Sequence, residues 1–398
     1  MNSLLLAANT AGYTTPQAWR VLTKTGYFLG LSGAIGATVT YATTVRPALR
    51  ATGRTTGSSD RSSDGATALR SRTASYVAWA GVVLLVAGYC QLAARVARAG
   101  KGTPFGEALA PSRIWDFLQA PAAKGAWIAQ GTVYLVQSIV LVVTAAAMIS
   151  LFAPTARRHT DRIALAALPL SLAVTLIAAV PATTPDGLDR WLDLALDQTH
   201  IVSGTVWLGG LALLAALATG RGRLADGDGL LWAELWRRFS LVALVCVGAV
   251  LISGLWLSWK HVGALSQLWT TGYGLALLVK IALVLGLVAA GAFNQFWLMP
   301  RIAQARRADD AASLRHLTLR HFPKVVLVEI ALGAAVLLAM PFLAGSARTE
   351  AGSAKAVSSG SIFIAGALLA LTLAGSLYAT AKASEALARR TAAAPAAS

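Results

Sequence analysis

The sequence predicts an all-α, polytopic transmembrane helix bundle of about nine spans, with the N-terminus outside and the C-terminus inside. Three observations carry this. Of 398 residues, 56% are hydrophobic and only 13% charged, whereas an ordinary soluble domain carries roughly 25% charged residues. Apolar runs of the length that a helix needs to cross a bilayer, about 20 residues, recur near 20–45, 74–96, 127–152, 162–181, 199–219, 238–258, 272–297, 324–345 and 359–381. With the N-terminus outside, 22 lysines and arginines fall on inner loops and the C-tail, 11 fall on outer segments, and Lys280 lies within a span. Cytoplasmic loops carry such an excess of cations.

The same asymmetry accounts for the net charge of +17, which in a soluble chain would suggest nucleic acid. No nucleic-acid partner is expected here. Cys90 and Cys246 lie in separate apolar runs and make no CxxC. Residues 1–19 lack the basic start of a cleaved signal peptide, so the first span is read as retained.

The elements follow in order. Gly26 and Gly30 in the first span have the small-xxx-small spacing that lets helices approach. Segment 46–73 is rich in Arg, Ser, Thr and Gly and reads as a flexible inner linker attractive to anionic membrane lipid. Segment 97–126 reads as an outer loop, and Trp115 and Phe117 predict a short interfacial helix within it. Segment 182–198 is acidic. Asp189, Asp193 and Asp197 recur every four residues and form one carboxylate stripe on a helix running towards His200. The stripe is either a solvated face or a cation-attracting one. The tail after about 384 is rich in Ala and Pro and reads as disordered.

Within the fifth span His200 and Trp207 are seven residues apart and share a face. Ser203, Gly204, Gly209 and Gly210 beside them leave room for another helix. This suggests a site between helices, against the bland alternative of a histidine reaching the headgroups. Lys280 is eight residues inside the seventh span, ~12 Å deep at 1.5 Å per residue. An uncompensated lysine near the bilayer centre costs roughly 2.5–3.5 kcal/mol. It needs a partner, a water-filled cavity, or a snorkelling route to the interface. Asn294 lies nearly on the same face, fourteen residues on. Glu329 lies inside the eighth span, and its face continues through Gly333, Val336 and Met340. It either pairs with an inner-loop arginine or sits in a proton or ion path. His200, His261 and Met340 all fall near the outer face in this topology. Imidazole and thioether suit copper, the thioether especially Cu(I), so these three are the candidate metal ligands; the alternative is three unrelated residues at helix ends. No nucleotide loop, hydrolase elbow or Ser/His/Asp order is present, and the chain reads as a non-enzyme.

The second half resembles the copper resistance protein D (CopD) family. The resemblance rests on His200 with Val206-Trp207-Leu208-Gly209-Gly210, then Arg238-Phe239-Ser240 and Ser253-Gly254. It continues with Thr271-Gly272-Tyr273-Gly274, Lys280, Asn294, Pro300-Arg301 and Glu329, in the family's order over about residues 195–345. Tyr27-Phe28-Leu29-Gly30-Leu31 in the first span looks like full-length members. The chain then divides into a four-helix membrane region (1–190), a CopD-like four-helix domain (191–346), and an extra C-terminal span with its tail (347–398). The resemblance implies a multi-pass inner-membrane protein that handles copper and moves it from the outer face towards the cytoplasm, with a periplasmic CopC-like chaperone either separate or absent. Methionine is sparse, four residues including Met1, which speaks against a methionine-ladder route; the ninth span departs from the eight of familiar members. Two alternatives stand beside it. A span starting with histidine and a later mid-span lysine is also similar to the membrane protoporphyrinogen oxidase. His200 would then be an axial haem ligand with Lys280 on a propionate, making the chain a haem-linked oxidoreductase. The third is a membrane scaffold for cuproenzyme assembly.

Overall fold

Apolar runs this long have one stable form in lipid, because only a helix satisfies every backbone group internally. The computed structural model accordingly has helices and no strand among the residues it describes, which are 13–55, 60–100, 102–218, 229–293, 301, 322–352, 371 and 375. The long helices are α1 (Ala18–Ala51), α2 (Asp60–Ala99), α3 (Gln130–Ile149), α4 (Thr160–Ala178), α5 (Gly187–Ala218), α6 (Gly229–His261), α7 (Gly272–Phe293) and α8 (Phe322–Ala339). Seven of them are long and apolar enough to cross a membrane by length and composition, and the eighth predicted span appears as the shorter apolar helix Leu327–Phe342. The predicted ninth span at 359–381 lies outside the described residues apart from 371 and 375, and Asn294 lies outside them too.

α1 is the axis. Of its apolar stretch 67% is buried, against 11% for α7, so α1 is enclosed by protein while α7 turns most of its surface outwards. Leu31, Ala34, Ile35, Ala37, Tyr41 and Val45 of α1 are all fully or nearly fully buried. On one side α1 packs against α2, which packs in turn on α3, and α3 on α4; on the other it packs against α5, which is paired with α6 and touches α8, while α8 is paired with α7. One hydrophobic cluster runs through both sides, from Tyr27 in α1 to Leu287 in α7.

The contact between α1 and α5 sets the middle of the molecule. A Cβ on Gly209 would overlap the Ser32 carbonyl oxygen, a Cβ on Gly36 would overlap the backbone of Gly209, and one on Gly210 would meet Thr40 and the Phe239 ring. The two backbones therefore touch, as the small residues of the fifth span predicted. α1 widens into π-helical turns at Ser32–Gly36 and Tyr41–Val45, the first of them at this crossing; such turns recur at functional positions in helices. Gly30 serves α2 in the same way, since a Cβ there would lie 2.9 Å from Leu84 Cα.

Five strongly exposed tryptophans mark one end of the bundle. Trp115 and Trp127 follow α2 and precede α3, Trp191 opens α5, Trp259 closes α6, and Trp269 precedes α7. The chain reverses at each long helix, so all five share an end, as expected of an interfacial aromatic belt. Here the predicted short helix forms at Pro111–Leu118, with Ile114 and Leu118 buried and Trp115 exposed. At the opposite end Arg157 ties α2 to the turn after α3, donating to the Leu151 carbonyl and to the Ser71 and Ser75 hydroxyls.

The expected flexible linker at 46–73 is corrected by the structure. α1 continues as helix to Thr55 and α2 begins at Asp60, leaving only 56–59 outside the described residues. The reason is packing. Ala48, Leu49 and Leu69 are buried, and Arg46 pairs with Asp161 of α4 at 3.5 Å, so composition alone understated how far the core extends.

Candidate metal centre

Near the tryptophan end a cavity, partly open to the surroundings, lies between α1, α5, α6, α7 and α8. Its wall is apolar apart from a few groups: Ser32 of α1, His200 and Thr205 of α5, Lys280 of α7 and, as a soft sulfur donor, Met340 at the end of α8. Trp207 lines the same cavity, so the seven-residue spacing from His200 does put both side chains on one face.

His200 is held by hydrogen bonds to α6. Its Nδ1 lies 3.1 Å from Ser253 Oγ. That hydroxyl has one hydrogen, which it donates to the Ala249 carbonyl at 2.5 Å. In the tautomer protonated at Nδ1, Ser253 Oγ accepts that hydrogen and Nε2 carries the lone pair; the imidazole also hydrogen-bonds the Val250 carbonyl. Metal-binding histidines are oriented in this manner, the second nitrogen being fixed by a hydrogen bond. Gly254 completes the seat, since a Cβ there would lie 3.2 Å from His200 Cε1. The Ser253-Gly254 pair is thus the mount of the fifth-helix histidine. Its role could not be read from the sequence, where the two residues lie more than fifty positions away.

Met340 reaches the cavity because α8 ends there in the tighter turn Met340–Phe342. The N-terminal part of the chain fastens that turn. Tyr13 donates its hydroxyl hydrogen to the Phe342 carbonyl at 2.9 Å, and Lys24 Nζ donates to the Met340 carbonyl at 3.3 Å. Burial, with Glu350 nearby, raises the Tyr13 phenol above its ordinary range, so this hydroxyl stays a donor at neutral pH.

His261 takes a different position. Its Nδ1 donates to the Leu257 carbonyl at 2.6 Å, its ring stacks on Tyr273 with centroids 5.7 Å apart, and it is not part of the cavity wall. The structure brings His200 and Met340 to one cavity and leaves His261 beside the loop that leads into α7. Among the described residues no three His, Cys, Asp or Glu side chains group to hold a metal. Of the three candidate ligands, His200 and Met340 are in the cavity wall.

The carboxylate stripe divides. Asp193 accepts from Trp256 Nε1 at 3.1 Å and pairs with Lys260, so it is spent on holding α5 to α6. Asp197 is exposed and feels the charges of His261, Lys280 and Lys24. Lys280 reaches the cavity and has no carboxylate within ion-pair distance among the described residues. Glu329 lies one turn beyond the cavity wall on α8, 3% exposed.

The motif before α7 is architectural. Thr271 Oγ1 donates to the Gln267 carbonyl at 2.6 Å and accepts from Gly274 N at 3.0 Å, an N-terminal cap that satisfies a free helix amide. Gly272 leaves room for the Tyr13 ring and Gly274 for the Gln267 carbonyl.

Residues 233–343 match the family model of copper resistance protein D. The resemblance drawn from the sequence therefore holds over the segment that supplies α6, α7, α8 and the Met340 turn. The chain is also 31% identical over 197 residues to the copper transport protein CutJ of Bacillus subtilis (strain 168), a match covering 50% of this chain and 35% of that protein. The chain thus spans about a third of the length of the curated relative it matches. No solved structure matches it. The cavity lies where the CopD segment meets α1 and α5, with His200 contributed from outside the matched residues.

Proposed function

We propose that this is a copper-handling protein of the cell (inner) membrane, which admits copper to the cavity from the outer face and moves it towards the cytoplasm in copper resistance or homeostasis. The observation that carries the reading is the meeting of His200 and Met340 on one cavity beside a segment that matches the CopD family model. Imidazole and thioether suit copper, and a site poor in carboxylates selects against magnesium and calcium. The name of the relative, a copper transport protein, points the same way. In this reading the tryptophan end faces outwards and receives copper, from a periplasmic CopC-like chaperone where one is present. Asp197, exposed on α5 about one turn before His200, raises the local cation concentration. Copper is cargo, and no enzymatic step is involved.

The test is Cu(I) binding to the purified protein, followed by copper accumulation in cells with and without the gene. His200→Ala is expected to lose the bound metal. Binding is expected to weaken as pH falls, because a proton on Nε2 takes the lone pair that the metal needs. Unchanged copper stoichiometry in His200→Ala would end the proposal. A Soret band in the protein as isolated would instead favour the tetrapyrrole alternative, for which the cavity offers no specific support.

A further inference from the structure

Glu329 is difficult to explain as part of the packing. It is 3% exposed, and its Oε2 has no hydrogen-bond partner among the described residues. A buried acid with an unmade hydrogen bond detracts from stability. Acids within membrane helices tend to mark the routes of ions.

Its position is equally specific. Glu329, Gly333, Val336 and Met340 form one stripe along α8, and the last three line the cavity. On the antiparallel α7 the matching stripe runs from Lys280 through Val284 and Leu287, all three in the cavity wall, to Gly291. Gly291 faces the acid, since a Cβ there would lie 3.9 Å from Glu329 Oε1. The cavity's two walls therefore continue to Glu329, eleven residues from Met340, or about 16 Å at 1.5 Å per residue. Leu208 of α5, itself in the cavity wall, packs on Gly333, between Met340 and Glu329 along α8: a Cβ on Gly333 would overlap Leu208 Cδ1. Gly333 gives Leu208 its resting place.

We propose that Glu329 is the inner cation station of the transport route, which receives the copper ion from the His200–Met340 cavity when Leu208 moves off Gly333. The carboxylate is a harder ligand than the thioether it follows, so it holds a soft cation weakly. Weak holding suits a station that must release towards the cytoplasm. The inference rests on the copper reading above, and binding and carriage tests separate the two.

The experiment uses the full chain in sealed vesicles containing a Cu(I) chelating dye. It is run on the parent, Glu329→Gln and Glu329→Asp, with copper stoichiometry and thermal stability measured on each. Glu329→Met, of similar volume and needing no partner, is the second replacement. The expected result is that Glu329→Gln and Glu329→Met bind copper and melt no lower than the parent, yet their uptake falls to the rate of empty vesicles. Glu329→Asp restores part of it. Uptake at the parent rate in Glu329→Gln overturns the proposal. So does loss of copper binding or of folded protein in both replacements, which would make Glu329 structural. A parent that binds copper but carries none overturns the station and leaves the cavity site standing. A parent that binds none overturns the copper reading and the station with it.

Discussion

Ser253→Ala gives the sharpest test of how the cavity works. The serine is not part of the cavity wall; its Oγ lies 3.1 Å from His200 Nδ1 and donates to the Ala249 carbonyl. Alanine removes one oxygen from a fully buried position and leaves the backbone unchanged. His200 then loses one of the bonds that aim its ring. Removing such orienting partners lowers metal affinity by roughly 10–100-fold, or about 1.4–2.8 kcal/mol at 1.4 kcal/mol per tenfold. Competition of the purified variants against a Cu(I) chelator reads this directly. Ser253→Ala is expected in that range with stoichiometry intact, and Ser253→Thr, which keeps the hydroxyl, is expected to retain more affinity. Parent-like affinity in Ser253→Ala, alongside lost binding in His200→Ala, would refute the orienting role of Ser253 while sparing the ligand.

Other expectations follow from the same geometry. In the chelator competition Met340→Leu weakens copper binding while His261→Ala leaves it near the parent value, since only Met340 is in the cavity wall; equal losses would restore His261 to the site. Gly209→Ala forces a methyl onto the Ser32 carbonyl. Overpacking costs typically about 1–3 kcal/mol, and the variant should show a lower midpoint in thermal unfolding in detergent, whereas Gly204→Ala, with open space around it, should not. A C-terminal reporter is expected to be active in the cytoplasm, given the excess of cations on that side; activity only in the periplasm would invert the topology.

The sequence by itself determined that this chain is a bundle of membrane-length helices, and where most of them lie. Hydrophobicity is a property of contiguous residues, and in lipid such runs can only be helical. It also determined that His200 and Trp207 share a face and that Gly209 admits another helix, because helical periodicity is local. Composition misled at 46–73, where polar residues concealed helix continuing over a buried Leu49 and Leu69. The partners across helices were decided only by the tertiary structure. Nothing in the sequence says that Ser32 of α1 meets Gly209, that Ser253 seats His200, or that Tyr13 and Lys24 fasten the turn carrying Met340. Sequence placed His200, His261 and Met340 at one depth in the membrane. Depth follows from position along each helix, but proximity depends on how each helix is turned about its axis, and that is set by the side chains it packs against. This rotation brings Met340 to the cavity of His200 and turns His261 onto Tyr273.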